Sequence, residues 1–414
     1  MKSIANRAAK EDRSQVIRVH EPSLNQKKKL IRVTTVPLSL KVLLRQQLKF
    51  MTAHYNVLAV SSPGKLLEEV GVCEGVRTVP VEMTRAITPV QDLKALWLLY
   101  RLFKKEKPDI VHTHTPKAGL LGMIAGRLAG VPIRLHTVAG LPLMENKGMK
   151  RKVLEFVEWL TYTCATKVYP NSGNLSQFIL QNKFCKKDKL KVLGNGSSNG
   201  INTDLFKLTP EIEASASKLR DELHIRPNDF VFVFVGRLVR DKGIEELVAA
   251  FSILKERYEK IKLLLVGPFE PELDPLSAQA LYQIQRNNDI INVGFQQDIR
   301  PYLALSHALA FPSYREGFPN VPMQAGCFHL PSIVTNINGC NEIVENGKNG
   351  LIIPVKSAHA LKDAMEQLLS NEELYQQLKA NARSMIVTRY DQKFFWNVLL
   401  KEYQDQLLKH AIVS

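Results

Sequence analysis

The chain has 414 residues, 45% of them hydrophobic and 23% charged, which excludes a disordered or fibrous protein and suffices for two α/β domains with separate cores. Its net charge of +16 is unevenly spread, with 33 Lys and Arg against 14 Asp and Glu in residues 1–200 (+19) and 23 against 26 in residues 201–414 (−3). The first half is therefore expected to meet an anionic partner: nucleic acid, anionic lipid or a phosphorylated substrate.

No run approaches the roughly 18 apolar residues of a spanning helix, and the polar, charged N-terminus reads as no signal peptide. Five cysteines (Cys73, Cys164, Cys185, Cys327 and Cys340), without a CxxC pair, point to a reducing compartment and away from disulfides or a zinc site.

Residues 1–28 lack periodicity and are expected to form a flexible basic extension. Strand-like runs follow at Ile31–Val36, Asn56–Val60, Val76–Val81, Asp109–His114, Ile133–Val138, Lys167–Tyr169 and Lys189–Leu193. Helical patterns over Pro89–Lys105, Lys117–Leu128 and Met149–Cys164 lie between them, so the region predicts βαβ units around a parallel sheet. A stretch rich in Gly, Asn and Ser within 195–212 marks a join. The pattern restarts with Phe230–Val235, an unbroken apolar run of the kind buried on both faces. Ile261–Val266, Ile290–Val293, Leu309–Phe311, Ser332–Val334 and Leu351–Ile353 continue it. The expected fold class is α/β, with two doubly wound, Rossmann-like parallel-sheet domains over 29–205 and 206–385 facing a central cleft. Residues 386–414 read as a C-terminal helix that packs back towards the N-terminal domain. Ligands in such sheets lie beyond the carboxyl ends of the strands.

In the second domain, Val235-Gly236-Arg237-Leu238-Val239-Arg240-Asp241-Lys242-Gly243 ends a buried strand, and Lys242 is expected to open the next helix. Gly236 permits close backbone approach, and Arg237 and Lys242 bring two cations to one spot, chemistry suited to a diphosphate without a metal. Phe311-Pro312-Ser313-Tyr314-Arg315-Glu316-Gly317-Phe318-Pro319-Asn320 is a second strand-to-helix junction, with Glu316 placed to accept from sugar hydroxyls.

In the first domain, His112, His114 and Lys117 follow a strand, and His136 lies on the next one. Two histidines at i and i+2 share a strand face, but no third ligand of suitable spacing supports a metal site. All four are candidates for the acceptor side of the cleft. The segments Leu93–Lys107 and Met149–Trp159 mix aromatic and basic residues, a pattern suited either to an ordinary sheet-covering helix or to a membrane interface.

The motifs Gly236-Arg237-Leu238…Lys242-Gly243, Ser313-Tyr314-Arg315-Glu316-Gly317-Phe318-Pro319 and Gly339-Cys340-Asn341-Glu342-Ile343-Val344 resemble glycosyltransferase family 4, retaining enzymes of the GT-B fold. The resemblance extends over residues 30–410. It implies that Arg237 and Lys242 are diphosphate cations, that Glu316 holds the donor sugar, and that Gly236, Tyr314, Gly317 and Phe318 border the donor. Family members usually carry a second glutamate at the position of Gln324, where it binds ribose. They often have a histidine where this chain has Ala139, and a glycine-rich loop where it has Thr34–Ser39.

The resemblance is closest to members that extend lipid-linked saccharides. It implies a UDP-sugar donor, a polyprenyl-diphosphate saccharide acceptor and no cofactor, in an enzyme peripheral on the inner face of the cell membrane. The rival readings are a nucleotide-sugar 2-epimerase of the same fold and a basic nucleic-acid-binding protein. The latter lacks any recognisable binding module, so no nucleic-acid partner is expected, and the absence of GxGxxG after the first strand disfavours a dinucleotide oxidoreductase.

Overall fold

The computed structural model describes residues 27–413 except 142, 144–146, 271 and 273. Apart from Lys27 and Lys28, the extension expected over 1–28 lies outside the described residues.

The first domain starts with β1 (Lys29–Val33), α1 (Pro37–Leu43) and α2 (Gln47–Thr52). It continues through β2 (Asn56–Ser61), α3 (Lys65–Glu74), β3 (Arg77–Pro80) and α4 (Pro89–Glu106). Next come β4 (Ile110–His114), α5 (Pro116–Ala129), β5 (Ile133–Val138), α6 (Gly148–Cys164), β6 (Lys167–Pro170) and α7 (Gly173–Gln181). All six strands are parallel, in the order β3-β2-β1-β4-β5-β6.

The seventh strand expected at Lys189–Leu193 does not form. Leu190 makes a single bridge to Val168, and Lys189 is drawn inward by carbonyls of Tyr162 (3.1 Å) and Ala165 (2.9 Å). The chain then turns away through Gly194 and Gly196, both at positive φ.

The second domain comprises α8 (Pro210–Glu222), β7 (Phe230–Val235), α9 (Ile244–Lys255), β8 (Ile261–Val266), α10 (Ala278–Arg286) and β9 (Ile290–Asn292). Then come α11 (Arg300–Ala304), β10 (Ala308–Phe311), α12 (Asn320–Cys327), β11 (Ser332–Thr335), α13 (Cys340–Ile343) and β12 (Gly350–Ile353). Helices α14 (Ala358–Ser370), α15 (Glu372–Tyr390) and α16 (Gln392–Val413) close the chain. The sheet order, β12-β11-β10-β7-β8-β9, is the first sheet's order read from the other edge. In both sheets the strand order reverses beside the first strand, so each has a crevice there, at β1/β4 and at β7/β10.

Central strands are apolar on both faces because helices cover both faces; Val231, Phe232, Val233 and Phe234 are fully buried. Helix α5 lies close on the first sheet because it carries glycine where bulk would collide. A Cβ at Gly119 would stand 2.4 Å from His136 Cε1, and one at Gly122 would stand 2.6 Å from Thr113 Cγ2. The chain crosses between the domains twice. The crossings are stitched together by Ile201 N–H to the Tyr390 carbonyl (2.8 Å) and Gln392 N–H to the Ile201 carbonyl (2.9 Å). Beyond the second crossing, α16 packs on the first domain, where Phe395, Trp396, Leu399 and Tyr403 join the core of Leu30, Tyr55 and Tyr169. Burial of side chains of this size stabilises by roughly 1.5–3 kcal/mol each.

Candidate active site

A cleft of about 780 Å³ lies between the two sheets at their carboxyl ends. Its second-domain wall is supplied by three strand-to-helix loops, following β7, β10 and β11. After β7 the backbone does not pass straight into a helix. Residues Arg240–Lys242 form one tight turn, and α9 starts at Ile244 behind Gly243. Lys242 therefore precedes the helix rather than opening it. Gly243 has φ +71°, and a Cβ there would meet the Pro312 carbonyl oxygen at 2.2 Å, so glycine lets this turn nest under the β10 loop.

That nesting brings Lys242 Nζ to 2.5 Å from Glu316 Oε1, with both side chains about 85% withdrawn from solvent (14% and 15% exposed). Arg237, more open, pairs with Glu270 at 2.9 Å. Asp241 receives Arg315 at 2.9 Å and holds the Tyr314 N–H through its carbonyl at 2.9 Å. The Tyr314 hydroxyl donates to the Glu246 carboxylate at 2.6 Å, and burial together with that carboxylate pushes its pKa upward. Arg237, Lys242, Tyr314, Glu316 and Gly317 all line the cleft. Gly236, at φ +151°, precedes Arg237, and its carbonyl is so close to Gly267 that a Cβ on Gly267 would overlap it at 1.8 Å.

Three of the residues that the family resemblance places at the donor, Gly236, Phe318 and Gln324, lie outside this lining. The Phe318 ring packs against Tyr390, with centroids 5.5 Å apart, so only its backbone remains near the cleft. Gln324 stands half-buried on α12, also away from the lining.

The first-domain wall differs from expectation. His112 and His114 are cleft candidates by sequence, yet both are buried under α16. Their shared face of β4 is the one that α16 covers. His112 bonds Tyr403 Oη (2.6 Å) and Thr137 Oγ1 (2.7 Å). His114 Nε2 accepts from Arg32 (2.7 Å). Burial and the neighbouring Arg32 charge depress both imidazole pKa values well below normal, so both are neutral. Lys117 is spent on Asp92 (2.6 Å) and ties the start of α5 to the start of α4.

Of the four first-domain candidates only His136 lines the cleft. Its Nδ1 is bonded to Thr113 Oγ1 (2.8 Å), and burial lowers its pKa to about 4. Beside it are Thr137 to Leu141, Thr115 and the carboxylate of Glu158. Thr115 has φ +71°, an outlier for a β-branched residue; Thr35 holds it through a 2.7 Å contact between hydroxyls.

Sequence reasoning passed over Thr115 and Glu158. The signal for Glu158 is its place on the buried stripe of α6 with Thr161 and Tyr162, where a lone charge is out of pattern.

Gly317 joins the two walls. A Cβ on it would lie 2.1 Å from the Ala139 carbonyl oxygen of the first domain. Alongside, Ser172 Oγ donates to Asn338 (2.6 Å), and the Glu342 carboxylate accepts from the Gly173 N–H (2.7 Å) and the Asn174 N–H (3.2 Å). Glu342 thus serves the N-terminus of α7 from the opposite domain.

Two Rossmann-like domains of matching topology, joined at one end and enclosing a cation-lined cleft, define the GT-B class of fold. Residues 45–196 match the glycosyl transferase 4-like domain and residues 215–385 match the glycosyl transferases group 1 family. The chain is 35% identical over 377 residues to the capsular polysaccharide biosynthesis glycosyltransferase CapM of Staphylococcus aureus, covering 91% of this chain and 96% of CapM. It is 31% identical to the Escherichia coli UDP-Gal:alpha-D-GlcNAc-diphosphoundecaprenol alpha-1,3-galactosyltransferase, over 75% of this chain and 78% of that one. Among solved structures, Anabaena Alr3699/HepE in complex with UDP and glucose superposes with a TM-score of 0.77 at 19% identity, over 91% of this chain and all of HepE. The chain belongs to glycosyltransferase family 4 and is a glycosyltransferase.

Proposed function

We propose that the protein transfers a sugar from a UDP-sugar to a polyprenyl-diphosphate-linked saccharide, with retention at the anomeric carbon, during assembly of a surface polysaccharide. The observation that carries this reading is the convergence of Arg237, Lys242 and Glu316 on one cleft wall at the carboxyl ends of β7 and β10. Arg237 and Lys242 would neutralise the charge that builds on the departing diphosphate, and Glu316 would hold hydroxyls of the donor sugar. Gln324 would contact the ribose as a neutral partner. As the acceptor oxygen bonds to the anomeric carbon, the bond from that carbon to the diphosphate breaks, and the acceptor proton passes to a departing phosphate oxygen. Catalysis is then mainly positioning and electrostatic stabilisation. The nucleotide and lipid parts draw support from the E. coli relative, whose name gives UDP-Gal and a diphosphoundecaprenol acceptor, and from HepE, which holds UDP and glucose.

The first domain's surface fits a lipid-borne acceptor. Val90, Leu93 and Trp97 are exposed along α4, and Met149, Val153, Phe156 and Trp159 along α6, among Lys94, Arg101, Lys104, Lys150 and Lys152. A basic helix face of this kind rests on an anionic membrane, on the inner face of the cell membrane in this reading. No helix among the described residues is long and apolar enough to cross one.

The test is UDP or GDP release from a panel of nucleotide sugars, with and without a prenyl-diphosphate saccharide, and with EDTA. EDTA-resistant release of one nucleotide that requires the saccharide is the expected result. Epimerisation of the donor without the saccharide and without net nucleotide release would instead favour the epimerase.

A further inference from the structure

Among the described residues, the first-domain wall of the cleft carries one carboxylate, Glu158, and the donor chemistry does not use it. It projects from α6 beside His136 of β5, and it is 4% exposed yet lines the cleft. Among the described residues no cation pairs with it. Tyr162, one turn further along α6, is its polar neighbour. The Tyr162 hydroxyl, fully buried, stands close enough to Glu158 to favour the ionised carboxylate. The Tyr162 and His136 rings lie 6.1 Å apart, so the three side chains form one cluster.

A carboxylate without a cation is costly to bury. A donor reaching it from the cleft would offset that cost. The ligand chemistry follows from the carboxylate. It only accepts, which suits a sugar hydroxyl donating from the cleft. A phosphate would be repelled by Glu158, whereas the opposite wall, with Arg237 and Lys242, suits one.

We propose that Glu158 and His136 form the subsite that reads the acceptor saccharide, with the Glu158 carboxylate accepting from a hydroxyl of the sugar that receives the transfer and Tyr162 packed behind them as a positioning residue. This deepens the transferase reading and rests on it. Tyr162 on its own helix acts on Glu158; the other titratable groups lining the same cleft are His136 on β5 and, on the opposite wall, Arg237, Asp241, Lys242, Arg315 and Glu316. Burial raises the Glu158 pKa to about 7, while His136 stays neutral above about pH 4. Acceptor use should therefore rise with pH through about 7, following ionisation of Glu158.

The experiment compares wild type with Glu158→Gln in two assays. The first is calorimetric binding of a short-chain prenyl-diphosphate monosaccharide to the UDP-loaded protein. The second is acceptor kcat/KM from pH 6 to 8.5, using that saccharide and analogues lacking one hydroxyl in turn. The subsite predicts saccharide binding at least tenfold weaker in the variant, with UDP binding unchanged within twofold. It also predicts loss of the pH limb near 7, and one deoxy acceptor on which wild type falls to the variant's level. Thermal unfolding at pH 8 controls for misfolding, since the neutral amide should leave the fold at least as stable.

Saccharide binding equal in both proteins, or no binding to wild type, overturns the subsite. Binding that depends on Glu158 in a protein that transfers no sugar from any donor upholds the subsite and sinks the transferase reading.

Discussion

At the scale of single residues, the second-domain wall of the cleft separates function from stability. Arg237 is 41% exposed and makes one ion pair with a partly exposed glutamate, a contact that contributes little to folding. Arg237→Ala should lower kcat by about 10²–10³-fold while urea unfolding stays within about 0.5 kcal/mol of wild type. Equal loss of activity and stability would count against its diphosphate role. Glu158 behaves in the opposite sense. Its folded-state pKa of about 7 lies above the ordinary 4.5, so protonation favours the fold; that contribution is complete below about pH 4.5 and is lost as pH rises through 7. Glu158→Gln should raise stability at pH 8 by on the order of 3 kcal/mol, measured by urea unfolding, and no gain would mean the carboxylate is not desolvated. Arg237 and Lys242 could be placed in the cleft from sequence because a glycine and two cations after an apolar strand mark a loop at the carboxyl end of the sheet. His112 and His114 were misread because alternation along a strand reveals which residues share a face, not what covers that face.

Among the elements, three decide whether the cleft exists as a closed site. The β10–α12 loop reaches the first domain at Gly317, the Glu342 carboxylate receives the N-terminus of α7, and α16 crosses over to complete the first domain's core. Gly317 meets Ala139 across the domain boundary rather than within a core, so added bulk should block closure without unfolding either half. Gly317→Ala is expected to keep its unfolding midpoint and lose at least tenfold in kcat/KM, with a larger radius of gyration by small-angle scattering. Wild-type activity in this variant would show that the 2.1 Å approach is not part of the working state. The motif around Glu342 was visible as a resemblance, but its partner lies 169 residues away along the chain, a separation that local pattern does not span.

For the whole molecule, charge and burial set the response to pH. His112, His114 and His136 are held neutral in the first domain, His136 with a pKa of about 4. Their folded-state values lie below the unfolded 6.5, so the unfolded chain takes up more protons in acid. Stability is fully present above about pH 6.5 and falls as pH drops towards 4, by about 2 kcal/mol at pH 5 for a histidine shifted this far. Urea unfolding at pH 7 and pH 5 should show the loss, and a flat profile would mean these histidines are not buried neutral. Sequence alone determined the two Rossmann-like halves and the strand-to-helix loops that form the second-domain wall, because hydrophobic period and turn chemistry are local properties. Only the tertiary structure decided which ionisable groups face the cleft. It buried His112, His114 and Arg32 beneath α16, engaged Lys117 with Asp92 and brought Glu158 to the wall, because exposure depends on elements far apart in the chain that meet only when both domains have folded.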